Sequence, residues 1–232
     1  SLYKQEVDEL KIPILPPSIN RSDDVFSVAG NDINYALGAL KNVGAEAMRV
    51  IIQERATNGY FKDIFDFASR VELRRIGKRS LEMLISAGAF DDLLNNRKRV
   101  FISLDRLIEF SAACLSDRVS GQDSLFGDEN EHLPLPELKK VEDWTKSEKL
   151  QREYESIGFY LSSHPLEEYM GMFGSKSIQK FSELKADLSS GPKLAKISGS
   201  VLNKQERMSN RGNKFAFVQL SDPSGIFEVT VF

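Results

Sequence analysis

The spacing of apolar residues changes along this chain, and the change limits the folds that the chain can adopt. Between residues 35 and 115, apolar side chains recur every three or four positions, which is the spacing of amphipathic helices. From Leu194 onward they alternate with polar ones, which is typical of strands with one buried face. This alternation covers the segments 195–201, 215–220 and 226–232. The sequence therefore predicts a mainly α fold with a C-terminal β part.

Composition divides the 232 residues into five predicted segments. They are an irregular N-terminal segment at 1–34, a helical domain at 35–115, an acidic linker at 116–143, a helical connector at 144–190 and the β part at 191–232. The linker loses the helical spacing and becomes polar. Three strands rarely close a stable β domain, so we expect the last segment to be a truncated β-barrel and the chain to be an excised fragment.

The net charge of −3 hides two basic patches on either side of an acidic tract. Residues 70–79 hold five basic side chains against one glutamate, and residues 204–214 hold four against one. Residues 122–148 hold eight carboxylates against three lysines. A phosphate backbone responds to local charge, so the basic patches are candidate contacts for nucleic acid.

Two glycine turns, 33 residues apart, share one arrangement: an apolar residue precedes a glycine and a helix starts directly after it. The pairs are Val43-Gly44 and Ile76-Gly77. Free amides at a helix N-terminus bind anionic oxygens, and a glycine lets the phosphate come close. This is the helix-hairpin-helix pattern, and it predicts a grip on duplex phosphates that does not read bases. The candidate residues are Lys41, Val43, Gly44, Ala45, Arg74, Arg75, Gly77, Lys78 and Arg79.

The acidic tract contains a short apolar peptide. Leu125 and Phe126 are adjacent there, in the most polar part of the chain. An exposed pair of this kind is stabilised by entering the pocket of a partner protein, and Gln122 could form a hydrogen bond at its rim. The candidate peptide is Gln122, Ser124, Leu125 and Phe126. The alternative is a loop that folds back on the helical domain.

The sequence lacks the residues that several classes of function require. One cysteine, Cys114, and two histidines cannot form a structural Cys/His zinc site, so no metal site is predicted. No apolar run approaches 18 residues, so no membrane contact is expected. The aspartates are scattered, and we predict no catalytic residue in this chain. A reducing cytoplasm is the simplest compartment.

Several motifs of the chain are distinctive in combination. They include IPILPPSIN at 12–20, YALGALKNVG at 35–44 and GFYLSSHPL at 158–166. In this order they resemble the alpha subunit family of the bacterial replicative DNA polymerase III. The resemblance spans nearly the whole chain. It implies a fragment that runs from the end of the fingers, through a tandem helix-hairpin-helix and clamp-binding region, into an OB fold.

This resemblance also implies roles for particular residues. The peptide at 122–126 resembles the internal peptide that binds the sliding clamp (beta), and the two glycine turns resemble grips on duplex DNA. The OB part implies contacts with a single-stranded template. These candidates are Lys204, Arg207, Arg211 and Lys214, together with Phe215 or Phe217.

The resulting hypothesis is a non-catalytic module that binds duplex DNA and the sliding clamp and supports processive replication. The family's nucleotidyltransferase activity and its magnesium are expected in a domain before Ser1, so no cofactor is expected here. Other replisome subunits are expected partners, in the bacterial nucleoid. The alternative is a protein–protein scaffold whose hairpins only pack and whose basic patches bind acidic partners.

Overall fold

The computed structural model describes residues 4, 6–7, 10–120, 133–173, 177–188, 191–210 and 212–232. The chain divides into two compact units, Ser1–Ser162 and Ser163–Phe232. Within the described residues, the first unit is helical apart from one small sheet, and the second holds the remaining strands. The predicted fold class, mainly α with a C-terminal β part, is confirmed.

The small sheet of the first unit lies in the segment predicted to be irregular. It contains β1 (Ile14–Leu15), β2 (Ser27–Ala29) and β3 (Asp32–Asn34), in the order β1-β3-β2. Strand β3 pairs parallel to β1 and antiparallel to β2. Strands of two or three residues are too short for a period of two to emerge in the sequence, which is why this sheet was not predicted.

Seven described helices follow in the first unit. They are α1 (Ala45–Asn58), α2 (Ile64–Arg70), α3 (Leu73–Ile76), α4 (Lys78–Ser86), α5 (Arg97–Ile102), α6 (Leu104–Ser120) and α7 (Lys146–Ile157). Several of their ends follow from local sequence. Asp63 accepts hydrogen bonds from two first-turn amides of α2, Thr145 forms a capping box with Glu148, and Gly158 ends α7 in the left-handed conformation.

The apolar faces of the predicted helices pack into one hydrophobic core in the first unit. Fully buried side chains from successive helices include Ile51, Phe67, Leu84 and Leu107. Each such side chain contributes about 1.5–3 kcal/mol by leaving water. Before α1, where a helix was predicted, the chain forms only one 3₁₀ turn at Leu37–Ala39. The element before the Gly44 turn is therefore a single 3₁₀ turn and not a helix.

The chain on either side of the candidate clamp peptide is more structured than a linker. Helix α6 continues to Ser120, and the segment 133–145, which we call the strap, packs on the core through Leu138 and Trp144. The Asn96 amide donates to the carbonyl of Val141 over 2.9 Å, which fixes the strap against α5. The peptide itself, Gln122 to Phe126, lies outside the described residues.

The second unit is built around three antiparallel strands. Its elements are a 3₁₀ turn (Pro165–Tyr169), α8 (Met170–Phe173), β4 (Ile178–Gln179), α9 (Phe181–Asp187), β5 (Lys196–Ile197), β6 (Ser200–Met208), β7 (Lys214–Asp222) and β8 (Gly225–Val231). The sheet order is β6-β7-β8, and β4 pairs separately with β5. Phe181 stacks on Phe227, with ring centroids 4.5 Å apart. The described strands form sheets that are not closed into a barrel.

Candidate nucleic-acid interface

The two glycine turns lie side by side. The Ser80 hydroxyl, in the first turn of α4, donates to the carbonyl of Asn42 over 3.2 Å. Asn42 has a φ of 61°, in the left-handed region that asparagine tolerates better than most residues. A contact between residues 38 positions apart therefore joins the two helix starts into one surface.

The first turn leads into α1 without a capping side chain from any described residue. Gly44 is the N-cap with a φ of −80°, and it is exposed together with Ala45. A Cβ at Gly44 would have no described heavy atom within 4 Å. Val43 beside it is buried, which anchors the turn to the core. The first-turn amides of α1 thus face a space that an anion can enter.

Lys41 points away from this opening. Its amide donates to the Ser156 carbonyl over 2.8 Å, and its ammonium lies 5.7 Å from the centre of the Tyr154 ring. The same ammonium would lie 3.3 Å from a Cβ at Gly158. Lys41 therefore fastens the turn to the C-terminal end of α7, where the helix dipole favours a cation.

The second turn repeats the arrangement between α3 and α4. Gly77 has a φ of 85°, its amide donates to Leu73, and a Cβ there would also meet no described atom within 4 Å. Ile76 is buried, as Val43 is in the first turn. No described side chain caps α4. Both helices thus begin on an open glycine behind an apolar anchor.

The basic residues around the second turn are not equivalent. Lys78 donates to both carboxylate oxygens of Asp105, over 2.7 and 2.9 Å, and this hydrogen bonding raises the pKa of Lys78. The three arginines are exposed, and none of them forms an ion pair with a described residue. They are Arg74, Arg75 and Arg79.

The candidate single-strand residues divide between the two faces of the second unit's sheet. Arg207 pairs across strands with Phe215, and its guanidinium lies 5.9 Å from the centre of the Phe217 ring. Lys204 pairs with Val218 and Lys214 with Met208, so both lysines lie on the opposite face. Arg211 lies outside the described residues. Of the three described candidates, only Arg207 therefore lies on the aromatic face.

Sequence reasoning missed three residues of the interface. Asn42 and Ser80 join the turns, and Asp105 pairs with Lys78. Each contact links positions 27 or 38 residues apart, so local spacing carries no signal of it. Within the described ranges, no group of three His, Cys, Asp or Glu side chains could hold a metal ion, and no helix is long and apolar enough to cross a membrane.

Comparison with known proteins agrees with this geometry. Residues 11–100 match the model of a family described as a helix-hairpin-helix motif. The two turns therefore belong to a known class of structural motif, and both lie inside the matched range.

Similarity extends beyond the motif to almost the whole chain. It is 40% identical over 229 residues to the DNA polymerase III subunit alpha of Caulobacter vibrioides, covering 99% of this chain and 20% of that protein. It is 37% identical to the subunit alpha of Thermus aquaticus, with 99% of this chain and 18% of that protein covered. It is 32% identical to the subunit alpha of Rickettsia prowazekii, with 100% of this chain and 22% of that protein covered. The chain belongs to the DNA polymerase III alpha subunit family and spans about a fifth of the length of these relatives.

Proposed function

We propose that the unit Ser1–Ser162 binds duplex DNA by its phosphates at the two joined glycine turns. The observation that carries this proposal is the hydrogen bond from Ser80 to Asn42, because it holds two open, uncapped helix starts next to each other. Each start offers first-turn amides and a favourable dipole to a phosphate oxygen. Gly44, Ala45 and Gly77 line the seats, Val43 anchors the first seat to the core, and Lys41 positions it.

The charge distribution favours DNA over the scaffold alternative. Arg74, Arg75 and Arg79 supply long-range attraction to the backbone, and the described part of the acidic tract forms no ion pair with them. Its Asp143 pairs instead with Lys149. A scaffold in which these arginines bound the described carboxylates of the same chain's acidic tract would show the opposite pairing.

The test is duplex binding over a range of salt. A fluorescent duplex of arbitrary sequence is titrated between about 50 and 200 mM salt, where each neutralised phosphate contributes about −0.9 to the slope of log K against log salt. Replacing Arg75 and Arg79 by glutamine should weaken binding and reduce the magnitude of the slope by about 1.8. The variant with Lys62→Gln and Lys140→Gln, two exposed lysines outside the turns, is the matched control.

The outcomes separate the two functions. Equal loss in both double variants would mean that only net charge matters and would reject the turns as the site. A salt-independent affinity of the wild type would reject the phosphate grip altogether. Preserved DNA binding in the arginine variant, with altered self-association, would favour the scaffold.

The remaining partners extend this proposal. The peptide Gln122, Ser124, Leu125 and Phe126 is proposed to dock on the sliding clamp. The support for this proposal is the sequence of the peptide alone. The aromatic face with Arg207, Phe215 and Phe217 is proposed to stack the bases of a single-stranded template. The chain would thus act in replication in the bacterial nucleoid, beside other replisome subunits, without catalysing nucleotide addition itself.

A further inference from the structure

The second turn of the proposed duplex grip contains an internal competitor for phosphate. Asp105 stands in the first turn of α6 and holds Lys78, the first residue of α4, through both of its carboxylate oxygens. Both side chains are largely exposed, with 52% of Lys78 and 71% of Asp105 accessible to water. The pair therefore lies on the same open surface as the second glycine turn.

The placement of Asp105 affects a phosphate at this turn in two ways. It occupies the ammonium of the residue that follows Gly77 in the chain, and it adds a negative charge within 3 Å of that ammonium. A phosphate that approaches must replace the carboxylate on Lys78 and overcome its repulsion. Water weakens an exposed ion pair of this kind, so the exchange remains possible.

Resting on the proposed duplex binding, we propose that Asp105 is an affinity-limiting residue that competes with DNA phosphates for Lys78. The neighbouring arginines have no such competitor among the described residues, so they make the first contacts and Lys78 adds to them only when it leaves Asp105. Asp105 thereby reduces the strength of a sequence-independent grip, which suits a module that must also let go of the duplex.

The experiment is a double-mutant cycle on the whole chain with a fluorescent duplex. Asp105→Asn keeps the size of the side chain and removes its charge. We expect it to tighten duplex binding about two- to fivefold, the range that an exposed ion pair allows. We also expect the salt slope to become steeper by about 0.9, because one more cation reaches a phosphate. In a Lys78→Gln background Asp105→Asn should retain only the smaller effect of removing its repulsion, because no ammonium is left to release.

Glu82→Gln is the matched control. Glu82 lies four residues after Lys78 on α4 and contributes to its electrostatic environment without a hydrogen bond to it. It removes the same unit of charge close to the same ammonium, so an equal effect of both variants would reduce the proposal to net charge and overturn it. Thermal unfolding of each variant checks that the fold is kept.

The possible failures are distinguishable. If the wild type binds the duplex and Asp105→Asn binds equally well, the competition is overturned and the duplex grip stands. If Asp105→Asn tightens binding as much in the Lys78→Gln background as in the wild type, Lys78 is not the group that Asp105 withholds. If no variant binds the duplex at low salt, the proposed function fails and the inference fails with it.

Discussion

The two glycines of the interface are glycines for different physical reasons. Gly77 has a φ of 85°, where a Cβ would clash with its own backbone, so this position needs glycine for its conformation. Gly44 has a φ of −80° and a ψ of 131°, which any residue adopts. Folding therefore does not require glycine at position 44, whereas the phosphate contact that we propose there does.

Replacing Gly44 by serine should change stability and DNA affinity in opposite directions. Serine is a good N-cap in this backbone conformation, and its hydroxyl would accept a hydrogen bond from a first-turn amide of α1. We expect the free energy of unfolding to rise by a few tenths of a kcal/mol. The same hydroxyl occupies the amide that we assign to phosphate, so duplex affinity should fall. Urea unfolding and duplex titration measure the two effects, and an unchanged affinity would remove Gly44 from the interface.

Gly77→Ala provides the contrast. There the positive φ makes alanine unfavourable by about 1–2 kcal/mol, although the space around the position is open. We expect a lower free energy of unfolding in urea. An unaffected stability would show that the turn between α3 and α4 relaxes to another conformation and is not held at 85°.

His164 should make the stability of the second unit depend on pH. Burial lowers the pKa of His164, although the charges of Asp222 and Glu167 act in the opposite direction. Its Nδ1 accepts from the Leu166 amide over 3.2 Å, so its Nε2 carries the proton and donates to the Ser221 hydroxyl over 3.0 Å. Protonation of Nδ1 would remove this acceptor and break the helix cap.

The sign of the pH effect follows from the lowered pKa. The unfolded chain, with a histidine pKa of about 6.5, binds a proton more readily than the folded one. Stability is therefore complete above about pH 6.5 and falls as the pH drops toward the lower folded value, by about 1 kcal/mol for one broken hydrogen bond. His164→Asn keeps an acceptor at the cap and cannot titrate. The free energy of unfolding of both proteins, measured between about pH 5 and 8, should depend less steeply on pH in the variant. Equal slopes would show that His164 does not cause the pH dependence.

At the scale of elements, the strap contributes to the stability of the first unit. Leu138 and Trp144 are buried, and Trp144 packs edge-on against Phe101 with ring centroids 5.4 Å apart. Leu138→Ala should therefore lower the free energy of unfolding by about 2–5 kcal/mol. Leu135→Ala, at an exposed leucine three positions earlier, is the control and should cost little. Equal effects in urea unfolding would show that the strap does not pack as described.

How far the sequence predicts these elements depends on their length and on the reach of their contacts. Helices α2, α4 and α7 could be predicted because the apolar spacing repeats for about two turns or more in each of them. The predicted strand at 195–201 is divided between β5 and the start of β6. Strand β6 then runs to Met208, and its last residues were not predicted because they are exposed, mostly polar or charged, and show no alternation. His164 caps the 3₁₀ turn Pro165–Tyr169, where proline stands at the first position.

The site was harder to predict than the elements that carry it. Both glycine turns could be located from sequence, because the apolar residue, the glycine and the helix start are adjacent. Their contact through Ser80 and the pairing of Lys78 with Asp105 depend on how separate helices pack, which spacing along the chain does not encode. The face on which each basic residue of β6 and β7 lies depends on strand register, and a one-residue shift would reverse it.

At the scale of the whole molecule, duplex binding and clamp binding are assigned to different parts of the chain. A peptide with two apolar anchors gives a micromolar dissociation constant at best once the costs of association are subtracted. The duplex grip is likewise weakened by salt. Linking two weak contacts in one chain raises the overall affinity by about 10²–10⁴ when both can be made at once. A chain of this kind would hold clamp-loaded DNA far more tightly than bare DNA.

Replacing Leu125 and Phe126 by alanine tests this linkage. The variant should bind bare duplex with the affinity and salt slope of the wild type, since the two turns are intact, and should lose the additional affinity for duplex that carries the sliding clamp. Leu135→Ala removes an exposed leucine from the same acidic tract and should lose nothing. Fluorescence titrations with and without clamp on circular DNA measure both quantities. If the variant keeps all of the additional affinity for duplex that carries the clamp, the clamp contact lies elsewhere in the chain. If the variant loses affinity for bare duplex, the peptide contributes to duplex binding itself.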